Sequence, residues 1–502
     1  MKLQLILPRT VRLSILDHRS IAEFMEDRAW LAPLPLATIA ALTPEGVEIS
    51  IVDENIEQID FNANVDLVGI SVFTSSAVRA YEIADKFRKS GVKVVLGGIH
   101  PSALPEEAIC HADAVVIGEA EGVWKEVISD FQKGKLRRFY KASFREDLKK
   151  PLIPRWDLIK LDSYRAFAIQ TTRGCPFNCS FCSVKVFFGA EYRFKPIENV
   201  IEEIKALQRL KPRATLFFVD DNFAANPKRT QEFLAELSRL KIRNWVAQIT
   251  INTEDRVLQS MAACGCSHVV VGLESLIQKT IDSMNKGAVN RVKTYSDVIN
   301  KIHSYGMGVL ASFIVGYDSE DKSIFDKIKK FVEDCNIEFP LVCSLTPFPG
   351  TAIAKQLLEE NRIIDNDWRH YDCSLFCFKP KPESAAELSR MVIDTNKRFY
   401  AYGNLYNRLS KSWRKGIFTR TTSLGGYFFN RNRLKFSLYA LRLKDIKRCW
   451  FMLKSLWHIP NPKFYTIFLS LNIHDILHKK MFIAPTGTYL KENHNGIRNR
   501  DS

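Results

Sequence analysis

No run of about 18 uncharged apolar residues occurs in this 502-residue sequence, so no membrane-spanning helix is expected. The opening MKLQLILPRT holds only a short apolar stretch and no small-residue cleavage site, so no secretory leader is expected and the cytoplasm is the default compartment. Internal repeats and low-complexity tracts are missing, which sets aside solenoids and fibrous folds. The 11 cysteines are an odd number in a chain without an expected leader, so a disulfide framework is a poor reading and most are expected as buried thiols. Acidic residues are scarce at one end only. Residues 401–502 hold 19 Lys and Arg against 4 Asp and Glu, a net of +15 out of +16 for the whole chain. The basic character therefore belongs to one segment and to that segment's partners.

What is present is ordinary globular material: 46% apolar residues and a length that asks for two or three domains. Residues 1–140 alternate short β-branched runs (3–8, 47–53, 65–72, 92–98 and 113–119) with helical patterns. That alternation predicts a doubly wound parallel α/β sheet, whose ligand binds outside the carboxyl ends of the strands. Residues 141–164, with Pro151 and Pro154, read as a linker. The alternation restarts at Ala166, with strands predicted at 166–172, 215–221, 244–250, 268–274, 308–316 and 340–346. Asn226–Pro227 has the form of a helix cap followed by proline at the first helical position. Six β/α units fall short of the eight that close a barrel, so a partial (β/α)6 barrel is predicted over 165–380. Residues 381–490 read as a helical, basic and aromatic segment, and 491–502 as a frayed tail.

At the end of the first barrel strand stands Thr171-Thr172-Arg173-Gly174-Cys175-Pro176-Phe177-Asn178-Cys179-Ser180-Phe181-Cys182, a C-x3-C-x2-C spacing. Thiolates are soft ligands that suit iron. Three on one tight loop can hold three corners of a cubane cluster and leave the fourth iron open. The rival readings are buried core thiols and a zinc site. Core cysteines seldom sit among Arg, Gly, Pro, Asn and Ser at a strand end, and zinc would want a fourth Cys or His close by. Cys264 and Cys266 are read as packing beneath a helix.

This motif on six β/α units resembles the radical S-adenosylmethionine superfamily. The resemblance implies a 4Fe-4S cluster on Cys175, Cys179 and Cys182, with S-adenosylmethionine chelated to the open iron and cleaved to a 5′-deoxyadenosyl radical. It also implies an electron donor of flavodoxin or ferredoxin type. Asp220 and Asp221 would substitute for the usual Gly-Gly-Glu at the methionine amino group, Glu274 would stand near the ribose, and the stretch with Ser312 and Gly316 would meet the adenine. The reading of each as a cap or turn residue stays open, as it does for Pro347 to Thr351 after the last strand.

In the first domain Ser71, Thr74 and Ser75, then Gly97, Gly98 and His100, then Gly118, Glu119 and Gly122 stand on small, polar loops after strands. Glycines let a bulky ligand approach the backbone. The order of these loops, with Pro33-Leu34-Pro35-Leu36-Ala37 before them, resembles the cobalamin-binding domain fused to many radical S-adenosylmethionine enzymes. A D-x-H-x-x-G motif is lacking and Asp17-His18 has the wrong spacing, so cobalamin is expected with no histidine on cobalt. His100 is read as packing or bonding backbone more readily than ligating.

The two cofactors together imply methyl transfer to an unactivated carbon or phosphorus of a small-molecule or lipid-like substrate. A radical cyclisation or rearrangement with the same cofactors, or a non-catalytic sensor of cobalamin or iron–sulfur, are the alternatives. The basic segment interleaves Arg408, Lys411, Arg414, Lys415, Arg431, Arg433, Lys435, Arg442, Lys444, Lys447 and Arg448 with Trp413, Phe428, Trp450 and other aromatics. It is read as a helical cap or as a contact with the inner membrane surface ahead of nucleic acid.

Overall fold

The computed structural model describes residues 1–9, 29–142, 147–242, 244–381, 383–414, 416 and 417. Asp17-His18 and the basic stretch beyond 417 lie outside these residues. The chain divides into two compact units, 1–432 and 433–502, and everything below concerns the first.

The strands of its first part are β1 (Lys2–Leu7), β2 (Ala29–Ala32), β3 (Glu48–Asp53), β4 (Leu67–Ser71), β5 (Lys93–Gly97), β6 (Ala114–Ile117) and β7 (Phe139–Lys141). All but β2 form one parallel sheet in the order β3-β1-β4-β5-β6-β7. β1, β4, β5 and β6 are continuous Leu/Val/Ile runs because helices cover both faces. Ala77–Lys89 packs Ala80, Ile83, Ala84 and Phe87 on one side, while Trp124, Val127 and Ile128 close the other. The chain leaves β1 toward β3 on one side and returns to β4 on the other. The carboxyl ends of β1 and β4 are therefore the switch point where such sheets bind ligands.

The second part adds β8 (Tyr164–Ile169), β9 (Thr172–Arg173), β10 (Arg193–Phe194), β11 (Leu216–Phe218), β12 (Trp245–Ile249), β13 (Cys266–Glu274), β14 (Gly308–Val315) and β15 (Phe339–Ser344). β9 and β10 make a small antiparallel ribbon. The other six are the six strands predicted, all parallel, in an open curved sheet. The sheet has seven strands rather than six because β2 leaves the first domain's sequence to pair with β8, Leu31 opposite Ala166. Asn226 caps the helix Pro227–Arg239, its side chain accepting from the Arg229 N–H. Cys264 and Cys266 are buried beside the helix Asp255–Ala263, their thiols donating to the carbonyls of Leu234 and His268. Among the described residues no helix is long and apolar enough to cross a membrane.

Candidate active site

The cysteine loop leaves β8 through the β9–β10 ribbon. Gly174 has φ +85°, and a Cβ there would stand 2.2 Å from the Glu191 carbonyl oxygen, so only glycine fits. The Cys175 N–H donates to the Gly189 carbonyl at 3.2 Å, and the Cys182 N–H to the Cys179 carbonyl at 3.2 Å. Asp220 anchors the loop from below. Its Oδ1 accepts from the Thr171 N–H and the Thr172 Oγ1, each at 2.8 Å, and from the Thr172 N–H. Asp220 is fully buried in this role, and its Oδ2 has no hydrogen-bond partner.

Cys175, Cys179 and Cys182 are free, half-buried thiols. Burial pushes all three up, Cys182 to about 12. Binding iron would have to displace those protons, and the Lys286 ammonium beside Cys179 favours the thiolate. Among the described residues no three His, Cys, Asp or Glu side chains converge on a single metal ion. A cubane cluster makes a different demand, with each cysteine on its own iron. The donor set fits three corners of one.

Polar groups ring the loop. Asp221 lies beside Cys175 and Cys182; burial and the charge of Asp220 raise its carboxyl to about 7, and its Oδ2 has no hydrogen-bond partner. Glu274, at φ +63°, pairs with Lys286, whose ammonium also reaches the Gly272 carbonyl at 3.4 Å. Lys286 carries no sequence signal: it follows a short helix and only the fold brings it here. Ser312 pairs in register with Gly272 and Leu341, on the half-open face of the sheet. Gly316 has φ +108°, and a Cβ there would meet the Phe376 ring at 2.1 Å. Its N–H donates to Glu320, which also accepts from the Ser275 hydroxyl at 2.5 Å. Ser180 ties the cluster loop to the helix Ala352–Glu359 and to the turn after β14, its carbonyl accepting the Ile353 N–H at 2.9 Å and its hydroxyl meeting the Tyr317 hydroxyl at 3.2 Å. Thr351 is a helix cap, accepting from the Ala354 N–H.

A cavity of about 930 Å³ opens at the carboxyl ends of the first sheet. Ser71, Gly97, Gly98, Gly118, Glu119 and Gly122 lie on its wall, as do Leu34, Pro35 and Leu36. A Cβ at Gly98 would meet the Val72 backbone at 2.8 Å, so this wall must stay bare. Pro151, Leu152 and Pro154, expected as a spacer, also form wall. The far side is built by the barrel: Gln170, Arg173, Phe187, Phe188 and Lys195.

Thr74, Ser75 and His100 are not on this wall. Thr74 and Ser75 sit in the turn that starts the helix Ala77–Lys89. His100 is fully buried, its Nε2 3.1 Å from the Tyr81 hydroxyl and 3.2 Å from Glu107, with its ring edge-on to Trp368. The paramagnetic resonance of bound Co(II) cobalamin is therefore expected to be the same in His100→Ala as in the wild type. A nitrogen splitting that disappears in the variant would place His100 on cobalt after all.

A model of the B12 binding domain matches residues 29–128, and one of the radical SAM superfamily matches 169–332. The chain belongs to the cobalamin-dependent radical S-adenosylmethionine enzymes. It is 32% identical over 391 residues to the bacteriochlorophyllide d C-12(1)-methyltransferase of Chlorobaculum tepidum, covering 75% of this chain and 84% of that one. It is 34% identical over 369 residues to the C-8(2)-methyltransferase of the same organism, covering 69% and 81%. The solved structure of OxsB, with aqua-cobalamin and S-adenosylmethionine bound, has the same fold: TM-score 0.63 at 14% identity, over 98% of this chain and 82% of that one. The cofactors of this enzyme are a 4Fe-4S cluster, S-adenosylmethionine and cobalamin. The bare glycine wall and the thiol triad with its open corner suit them.

Proposed function

We propose that this enzyme places a methyl group on an unactivated carbon of a small molecule with substantial apolar surface, lipid-like in that sense. The observation that carries the reading is the shared chamber. Arg173, two residues before Cys175, and Phe187 and Phe188, just after Cys182, form the far wall of the cavity at the carboxyl ends of the first sheet. When bound, the cluster with S-adenosylmethionine supplies a hydrogen-abstracting radical, and cobalamin supplies the methyl carrier. The chain's own work is to hold and align. Cys175, Cys179 and Cys182 hold the cluster. Asp221, Glu274 and Lys286 offer charges that complement the amino and carboxylate groups of S-adenosylmethionine, and Ser312 and Gly316 border its nucleoside end.

Half-exposed residues alternate with buried ones along β13, β14 and β15: Val270, Leu310, Ile314 and Leu341 face the open side. Helices cover the opposite face in such sheets, so this apolar stripe is the inner one. It supports an acceptor with apolar surface, and the two relatives named for methylating bacteriochlorophyllide d support a small-molecule carbon. We further propose a flavodoxin or ferredoxin type protein as electron donor, and contact of the basic C-terminal stretch with the inner membrane face.

The test is stoichiometry. With reductant, cobalamin and acceptor, two S-adenosylmethionine are expected to be consumed per product, one recovered as 5′-deoxyadenosine and one as S-adenosylhomocysteine, and the product should gain one CH2. Removing cobalamin should stop methylation while sparing uncoupled 5′-deoxyadenosine formation. A product of unchanged carbon count, cyclised or rearranged, would overturn the reading.

A further inference from the structure

The β9–β10 ribbon that launches the cysteine loop pairs Arg173 directly with Arg193. Like charges opposite each other in an antiparallel pair repel. Neither strand relieves this. The relief comes from the other domain, where Gly118, at φ +81°, turns the chain after β6 and presents Glu119 between the two guanidinium groups. Glu119 Oε2 accepts from Arg173 at 2.7 Å and from Arg193 at 3.0 Å, and Oε1 accepts from Arg193 at 2.5 Å. Glu121 takes the remaining Arg173 nitrogen at 2.5 Å. Arg173 also donates to Gln170 at 2.8 Å, and Arg193 to the Phe188 carbonyl at 3.1 Å. Glu119 and Arg173 are 8% and 9% exposed, so water screens little of this.

Both oxygens of Glu119 are thus committed to guanidinium groups, although the residue borders the cofactor cavity. We propose that Glu119 and Glu121 are positioning residues for the iron–sulfur cluster: acting through Arg173 and Arg193, they fix the cysteine loop against the cobalamin domain. Paired, nearly buried guanidinium–carboxylate forks fix distance and angle better than a single contact does. The anchored Arg173 is two residues from Cys175. On this reading, the far wall of the cofactor cavity and the near end of the cluster loop are one rigid piece.

The inference rests on the cluster assignment above, and the test separates the two. Glu121 makes its ion pair with Arg173, with Lys195 adding to the attraction, and leaves the Glu119 pairs in place, so Glu121→Gln and Glu121→Asp are compared with wild type as reconstituted full-length protein. Asp keeps the charge but shortens the reach. Both variants are expected to alter the paramagnetic resonance line shape of the reduced cluster and to release iron to a chelator at least fivefold faster. Glu121 also lines the cofactor cavity, so cobalamin affinity is measured alongside, and its change should be smaller than the change in iron release. An effect in Glu121→Gln with none in Glu121→Asp would make the role one of charge and overturn positioning. So would an unchanged cluster with weakened cobalamin binding, which would make the loop a cofactor ligand. If Glu121→Gln fails to fold, Glu121→Asp carries the same test. A wild type that takes up no cluster would overturn both this inference and the assignment beneath it.

Discussion

Replacing Cys175, Cys179 and Cys182 together by alanine is expected to abolish iron and sulfide uptake and to bring 5′-deoxyadenosine down to background. The three thiols are the donors of the loop, and no fourth Cys or His converges with them among the described residues. A remnant site of Asp221 and backbone offers hard oxygen donors, which suit iron–sulfur chemistry poorly. Because radical generation needs the cluster for its electron, the loss should reach at least about 10⁶-fold, the lower end of enzymatic rate enhancement. Cobalamin binding should persist, since most of the cavity wall belongs to the first sheet. Iron analysis, absorbance of bound corrinoid and chromatography of the nucleoside products read these outcomes separately. Full iron content in the triple variant would show the assignment to be wrong.

Gly174→Ala is expected to be as damaging to the cluster as loss of a ligand, although every cysteine remains. A left-handed φ costs an L-residue roughly 1–2 kcal/mol. That alone would be tolerated. The larger effect is steric: the new Cβ would lie 2.2 Å from the Glu191 carbonyl oxygen and 3.2 Å from that of Gly189, which receives the Cys175 N–H. Both obstacles are backbone, so the loop itself must move and carry Cys175 with it. Gly91→Ala, in the turn after the helix Ala77–Lys89, is the control. It has almost the same φ, +83°, but no atom within 4 Å of the new Cβ, so only the torsional cost applies. Iron content near wild type in Gly91→Ala and a severe loss in Gly174→Ala are expected. Equal iron in the two variants would mean that the loop is not held by its backbone path.

The legible and illegible parts of this protein differ in kind. Strand positions were readable because apolar runs of β-branched residues alternate with amphipathic stretches, and a sheet covered on both faces leaves that signature. The cysteine spacing was readable because the chemistry is local: three ligands on one loop need no tertiary information. Asp220 and Asp221 show where such reading stops. As neighbours in sequence they look equivalent, yet one is sealed beneath the loop with its Oδ1 accepting from Thr171 and Thr172, while the other lies beside Cys175 and Cys182. Strand geometry separates them, and a pair of identical letters does not encode which is which. Lys286 was invisible for the opposite reason, since nothing local marks a lysine that the fold delivers to Glu274 across 12 positions. His100 stood in a persuasive glycine loop, but its ring turns into a packed contact with Tyr81, Glu107 and Trp368. The proline-containing stretch at 151–154 had the composition of a spacer and serves as wall.

The strand Ala29–Ala32 has a consequence for how such a protein can be inherited. It lies between two pieces of the first sheet in sequence but is zipped to Tyr164–Ile169 of the second, with Ala29 opposite Tyr164 and Ala32 opposite Phe167. A recombination breakpoint placed at the obvious seam, near residue 164, would therefore hand the downstream half an unpaired strand edge, open to pairing with other chains. The upstream half would keep a strand with no sheet to join. The two halves are interlaced at the backbone, so gene shuffling can exchange them only as a matched set.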